Sequence, residues 1–432
     1  MTRKSAQAQA RKAAAKTSPA QALQAKVDQA LGYHAAGAFA FAELLYGDVL
    51  AAQPGHAQAL HGLGVLTGQK GEPLRGIELI DRAIRLAPND PTFHANRALL
   101  LKDLLRFDEA LAGLDRAIAL KPDYAHAQYN RAMLLLLTGD LGRGWALQEW
   151  RFKSTRTPRA LAQPCWLGEV PLAGKTLLLH AEQGLGDAIQ FCRYATLAAQ
   201  RGARVLLEVP APLVELLRTL DGAPEVIAAG APLPAFDLHC PLPSLPLAFD
   251  TDAASIPGPL GYLKSEPAKV AHWSARLGPR TRPRVGLAWS GSTLYPGDAR
   301  RSIALAQWLP SLRPDIEYVS LHKDLRDADA TTLQAHGGIR HFGSEQGDFT
   351  DAAALAELMD VVVSVDTSLA HLAAALGRPT WVLLGQVPDW RWQLERRDSP
   401  WYPTVRLFRQ RSAGDWAGVL ADVSADLGQL SA

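Results

Sequence analysis

Val361-Val362-Val363-Ser364-Val365-Asp366-Thr367-Ser368-Leu369-Ala370-His371-Leu372-Ala373 reads as a buried strand that breaks into small polar residues and reopens as a helix. Asp, Thr and Ser are good helix N-caps, and the first N–H groups of a helix have no partner within it. That geometry suits an anion such as a phosphate. His371 falls one turn into the helix, facing the same mouth. A strand feeding a helix is also the unit of a parallel α/β sheet, which is built from several of them.

They recur from Lys175 onward. Thr176 to His180 predicts a strand, residues 187–201 a helix and Arg204 to Val209 a strand, with further short strands near Glu225 to Ile227 and Phe236 to His239. A Pro- and Gly-rich run from Ile256 to Tyr262 reads as a hinge. A second set follows, with strands at Arg284 to Trp289, Glu317 to Leu321, Val361 to Val365 and Thr380 to Leu384, and helices near 304–313, 350–359 and 368–376. Alternation of this kind predicts two Rossmann-like halves with a cleft between them.

The region before residue 157 obeys another rule. Pro54, Pro88 and Pro122 are spaced by 34 residues. On that period Gly37, Gly71 and Gly139 share a column, as do Ala42, Gly76 and Ala110, and Val49, Ala83 and Ala117. Leu63, Gly64, Ile80 and Leu86 of one unit answer to Arg97, Ala98, Leu114 and Leu120 of the next, which predicts two amphipathic helices per unit. The pattern resembles tetratricopeptide repeats, with units near 23–56, 57–90 and 91–124 and a degenerate fourth from Ala125 to about Arg156. Gly144-Trp145-Ala146-Leu147-Gln148-Glu149-Trp150-Arg151 ends it as a capping helix whose tryptophans pack. Repeat arrays bind along their inner face, so a protein partner is expected.

Composition narrows the class. Lys and Arg number 45 against 43 Asp and Glu, a net charge of +2, which leaves no global footprint for nucleic acid. Cys165, Cys192 and Cys240 form no CxxC pair and fit a reducing, cytoplasmic setting without structural zinc. No apolar run approaches the roughly 18 residues of a membrane span. Residues 1–20 read as a disordered basic tail, 21–156 as the repeats, 157–173 with Pro158, Pro164 and Pro171 as a connector, and 174–266 and 267–432 as the two halves.

Ligands of such sheets bind beyond the carboxyl ends of strands, and three strand ends carry suitable chemistry. The first is Ala181-Glu182-Gln183-Gly184-Leu185-Gly186-Asp187, where Gly184 and Gly186 permit close backbone approach and Asp187 can act as a general base; His180 and Glu182 flank it and Gln183 lies in the loop. The second is Ser290-Gly291-Ser292 with Arg301 and Ser302 beyond it. The third is Asp366 to His371. The third glycine of a dinucleotide fingerprint is missing, so no hydride-transfer cofactor is expected, and Gly174-Lys175-Thr176 lacks the upstream glycine of a P-loop and precedes its strand. Lys323 and Trp390 are further candidates for the nucleotide or sugar pocket.

Gly184-Leu185-Gly186-Asp187 and Asp366-Thr367-Ser368-Leu369-Ala370-His371 resemble the glycine loop and the Asp-Thr-Gly-Leu-x-His phosphate loop of the ADP-heptose heptosyltransferase family. The resemblance runs from about Gly174 to Leu427. Ser368 stands where that family has glycine, and the repeats are an addition; the whole arrangement, with Pro388-Asp389-Trp390-Arg391-Trp392, is similar to bacterial repeat-containing glycosyltransferases, some of which modify proteins such as flagellin. The resemblance implies an N-terminal repeat solenoid followed by a GT-B fold, and inverting, metal-independent transfer from a nucleotide sugar, with no cofactor. Asp187 is then the base, while Thr367, Ser368 and His371, with Arg301, Ser302 and an orienting Asp366, hold the leaving diphosphate. A lipopolysaccharide or lipid-linked acceptor, and a scaffold that binds a nucleotide sugar without turnover, are the alternatives.

Overall fold

The computed structural model describes residues 18–430 except 223 and 259. Most of the expected basic tail therefore lies outside the described residues, but its end does not: Ser18 caps the first helix in a reciprocal box with Gln21, at 2.9 and 3.2 Å. The chain divides into two compact units, at Arg131 and Ala132.

The first unit holds helices α1 (Pro19–Ala35), α2 (Phe39–Ala52), α3 (Ala57–Gln69), α4 (Pro73–Leu86), α5 (Pro91–Asp103) and α6 (Phe107–Leu120), and the division falls within α7 (Ala125–Leu137). Local signals set the starts. Pro73 and Pro91 occupy first helical turns, and Asp90 accepts the Thr92 N–H at 2.8 Å, both favourable where N–H groups lack helical partners. The small-residue columns are where the helices touch. A Cβ on Gly64 would lie 2.8 Å from the Gly76 carbonyl, and one on Gly76 would lie 2.6 Å from that of Gly64, so this pair lets α3 and α4 meet backbone to backbone.

The column Gly37, Gly71, Gly139 has its missing member at Leu105. All four sit in the left-handed region, with φ of 74°, 93°, 93° and 61°. Leucine pays for that geometry with a Cβ clash that glycine avoids, worth about 1 kcal/mol, and Leu105 is 40% exposed, so little burial offsets it. Leu105→Gly is expected to stabilise the repeat unit by about 1 kcal/mol in denaturant unfolding; an unchanged midpoint would show that the turn carries no strain.

The second unit begins with the rest of α7 and α8 (Leu141–Gln148), then builds two parallel sheets. In the first, β1 (Thr176–His180), β2 (Arg204–Val209), β3 (Glu225–Ala228) and β4 (Leu238–Pro241) lie in the order β3-β2-β1-β4. In the second, β5 (Arg284–Ala288), β6 (Glu317–Ser320), β7 (Ile339–His341), β8 (Val361–Val365), β9 (Thr380–Leu384) and β10 (Val405–Arg409) lie in the order β10-β9-β8-β5-β6-β7. These are two Rossmann-like halves, the GT-B arrangement. β8 is central and wholly buried, with Val362 beside both Gly286 and Thr380, which accounts for its apolar run. The helix expected over 187–201 is two, α9 (Leu185–Phe191) and α10 (Arg193–Gln200), broken at Cys192. Helices α11 (Pro267–Leu277), α12 (Asp327–His336), α13 (Phe349–Glu357), α14 (Ser368–Ala375) and α15 (Trp416–Leu427) complete the second half.

Two arginines tie this unit together. Arg193, buried, donates to the carbonyls of Gln190 (2.8 Å), Pro257 (3.2 Å) and Trp401 (2.8 Å) and to the Tyr262 hydroxyl (2.9 Å). The run read as a hinge is thus pinned to both halves, and Leu263 N–H bonds the Ala375 carbonyl at 3.1 Å. Arg151, fully buried, binds Glu182, Glu149 and the Ser244 hydroxyl. Trp145 donates to the Thr251 carbonyl at 2.8 Å, so the capping segment packs on the first half.

Candidate active site

At the end of β8 the chain turns through Asp366 into α14 with Thr367 as N-cap. Its backbone is extended (φ −140°, ψ 173°), and its hydroxyl accepts the Leu369 N–H at 3.3 Å and lies 3.2 Å from the Ser364 hydroxyl. Arg301 donates to the Asp366 carbonyl at 2.6 Å with its guanidinium 4.5 Å from the Tyr295 ring, which joins the second strand-end loop to the third. Ser302 braces that loop: its hydroxyl accepts Gly291 N–H (2.9 Å) and donates to Asp298 (2.8 Å), which also pairs with Arg326. Ser290 lies half-buried just past β5. Lys323 is exposed and donates to the Gly347 carbonyl at 2.6 Å, a loop contact.

The first strand-end loop is built differently. His180 is buried against His239 at 3.2 Å, and burial followed by that neighbour pulls its pKa down to about 3, so it is a neutral packing group. Glu182 receives two Arg151 bonds of 2.9 Å, and Gln183 leans on it at 3.4 Å. Gly184 is the N-cap of α9, and its N–H donates to Oδ2 of Asp187 at 2.9 Å. A Cβ on Gly186 would lie 2.8 Å from His371 Cδ2, so only glycine lets α9 approach α14 this closely.

The two loops therefore face one another, and Arg391 reaches Asp187 from the second half. It follows β9 in a single 3₁₀ turn, Trp390–Trp392. Its Nε donates to Gln190 (2.6 Å), Nη1 to Asp389 (2.8 Å) and Nη2 to Oδ1 of Asp187, while its plane lies 4.4 Å from the Trp390 ring. Burial works against its charge, but Asp389 and Asp187 outweigh burial and raise its pKa. Burial raises Asp187 despite Arg391. Asp366, desolvated and facing Asp389, is pushed up to about 6 against the pull of Arg301. His371 is buried, bonded through Nδ1 to the Tyr402 hydroxyl at 2.8 Å, stacked on Trp392 at 5.4 Å, and 4.0 Å from Asp366 through Nε2. Burial, then Arg391, holds it well below its ordinary pKa, hence neutral.

The structure thus brings Asp187, Gly186, Asp366, Thr367, Ser368, His371 and Arg301 to one place. Trp390 is elsewhere in character: it is buried among Trp145 (5.1 Å), Trp401 (6.0 Å) and Phe191 (6.5 Å), walling the interior. Arg391, Asp389 and Tyr402 were not among the expected site residues. For Asp389 and Arg391 the available signal was an acid and an arginine alternating with tryptophans, Asp389-Trp390-Arg391-Trp392, in the loop after a strand. Among the described residues no group of three or more His, Cys, Asp or Glu side chains is placed to hold a metal ion, and no helix is long and apolar enough to cross a membrane. The three cysteines are free.

Paired Rossmann-like halves, with a glycine loop of one against a capped helix of the other, define a GT-B glycosyltransferase, here carrying tetratricopeptide repeats. Residues 346–413 match the family model Glycosyltransferase family 9 (heptosyltransferase), a segment that contains the Asp366–His371 loop, Arg391 and Tyr402; the chain is a glycosyltransferase. It is 29% identical over 415 residues to Protein FlbA of Caulobacter vibrioides, covering 89% of this chain and 69% of that protein. A Thermobaculum terrenum O-GlcNAc transferase mutant aligns over 96% of this chain and 91% of its own, with 16% identity and a TM-score of 0.35. E. coli ADP-heptose lps heptosyltransferase II aligns over 59% of this chain and 99% of its own, with 17% identity and a TM-score of 0.42.

Proposed function

We propose that this enzyme transfers a sugar, with inversion and without a metal ion or cofactor, from a nucleotide-sugar donor to a hydroxyl of a protein held by the repeats, in the cytoplasm. The observation that supports it is the meeting of Asp187 with the Asp366–His371 loop. Asp187 takes the acceptor proton as that oxygen bonds to the anomeric carbon; the bond from that carbon to the diphosphate oxygen breaks, and its electron pair leaves with the diphosphate. The charge that develops meets the positive end of the α14 dipole and the guanidiniums beside it. Neutral His371, fixed by Tyr402 and Trp392, shapes the loop. The free cysteines suit a reducing compartment.

The test uses the full chain co-expressed with candidate acceptors, followed by intact mass. A protein gaining one sugar mass supports the reading, and nucleotide release with sugar found on a lipid-linked acceptor would favour the alternative that the heptosyltransferase match raises. A pH profile adds a second check. A base acts only when deprotonated, so kcat/KM falls as pH drops through the Asp187 pKa. Because burial raises that pKa, the acid limb is expected above the ordinary aspartate value of about 3.9. A limb at or below that value would remove Asp187 as the base.

A further inference from the structure

We infer that Arg391 is an exchangeable cation: held by Asp187 in the free protein, it passes to the diphosphate of the donor and so releases Asp187 to take a proton. This rests on the reading of Asp187 and the α14 loop as base and diphosphate site. In the free protein both oxygens of Asp187 are occupied, Oδ2 by the Gly184 N–H at 2.9 Å and Oδ1 by Arg391. A carboxylate so engaged is a poor proton acceptor. Gly184 belongs to the same helix cap and stays; Arg391 reaches in from the other half, 204 residues away in sequence, and can change partner.

Charge favours the exchange. Asp187, Asp389 and Asp366 surround the guanidinium, while Arg301 already braces the Asp366 carbonyl and lies against Tyr295. A charged N–H bonds a phosphate oxygen as it bonds a carboxylate oxygen, and a diphosphate carries more charge than the single carboxylate it displaces. Gln190 and Asp389 hold Nε and Nη1 at 2.6 and 2.8 Å, so the guanidinium stays on its Trp390 platform and Nη2 exchanges one acceptor oxygen for another that comes to it. As the diphosphate accepts Nη2, the Asp187–Nη2 bond breaks; no covalent bond or electron transfer is involved.

Isothermal titration of the full chain with inorganic pyrophosphate tests this. Wild type is expected to bind. Asp187→Asn, which removes the competing charge but keeps the shape, should bind several-fold more tightly, Arg391→Ala about tenfold or more weakly, and Arg391→Lys in between because it keeps charge but not the bonds to both Gln190 and Asp389 that aim the head group. A structural ion pair predicts the opposite sign for Asp187→Asn. Unchanged or weaker binding by that variant, unchanged binding by folded Arg391→Lys, or no binding by wild type would each overturn the inference. If the binding pattern holds while Asp187→Asn still transfers sugar, the base assignment fails and Arg391 stands; if transfer is lost but pyrophosphate ignores Arg391, the reverse is true.

Discussion

Asp187→Asn is expected to lower the transfer rate by about 10²–10⁴-fold, the usual contribution of a positioned general base, with donor binding retained or tightened. Asparagine still accepts the Gly184 N–H through its carbonyl oxygen, so the cap of α9 survives. What disappears is the proton acceptor. Single-turnover rates with donor and acceptor saturating isolate the chemical step, and near wild-type turnover would mean that another group takes the proton. The variant also separates two kinds of loss: a folding defect would lower donor binding and rate together, whereas a chemical defect lowers rate alone.

Arg151→Ala is expected to destabilise the second unit by about 3–5 kcal/mol, the range for breaking a buried charge pair by removing one partner. Arg151 is 0% exposed and its partners Glu182 and Glu149 keep only 11% and 22% of their side-chain surface. Deleting the cation leaves two carboxylates facing each other beside the Ser244 hydroxyl, which accepts from Arg151 at 2.6 Å and donates to Glu149 at 2.8 Å. By contrast the exposed Arg218–Glu215 pair, with both side chains 55% accessible, should cost about 1 kcal/mol or less when broken. Denaturant unfolding of the two variants gives the comparison. Because Glu182 lies two residues before the Gly184 cap, Arg151→Ala should also slow transfer; a loss below about 1 kcal/mol would mean that water replaces the guanidinium at no cost.

Much of this was legible because it is local. The 34-residue period gives the helix pairs. Long apolar strands such as Val361 to Val365 declare themselves. β7 and β10 do not: three residues at a sheet edge carry too little pattern, and Val405-Arg406-Leu407-Phe408-Arg409 follows a long irregular stretch. The site divides in the same way. Asp187 and Thr367 are visible from their caps, since a helix start is set within four residues. The roles of Arg391, Tyr402 and Arg151 depend on which element meets which, and no spacing records that Trp390 turns inward onto Trp145 or that Lys323 is spent on a loop carbonyl.

Arg193 bears on how readily the two halves can part. Prising the halves apart would strip a buried guanidinium of its bond to the Trp401 carbonyl while it kept those to Gln190, Pro257 and Tyr262, stranding a charge at a newly wetted seam. Wide opening of the seam therefore carries the cost of leaving a buried cation short of one of its four partners.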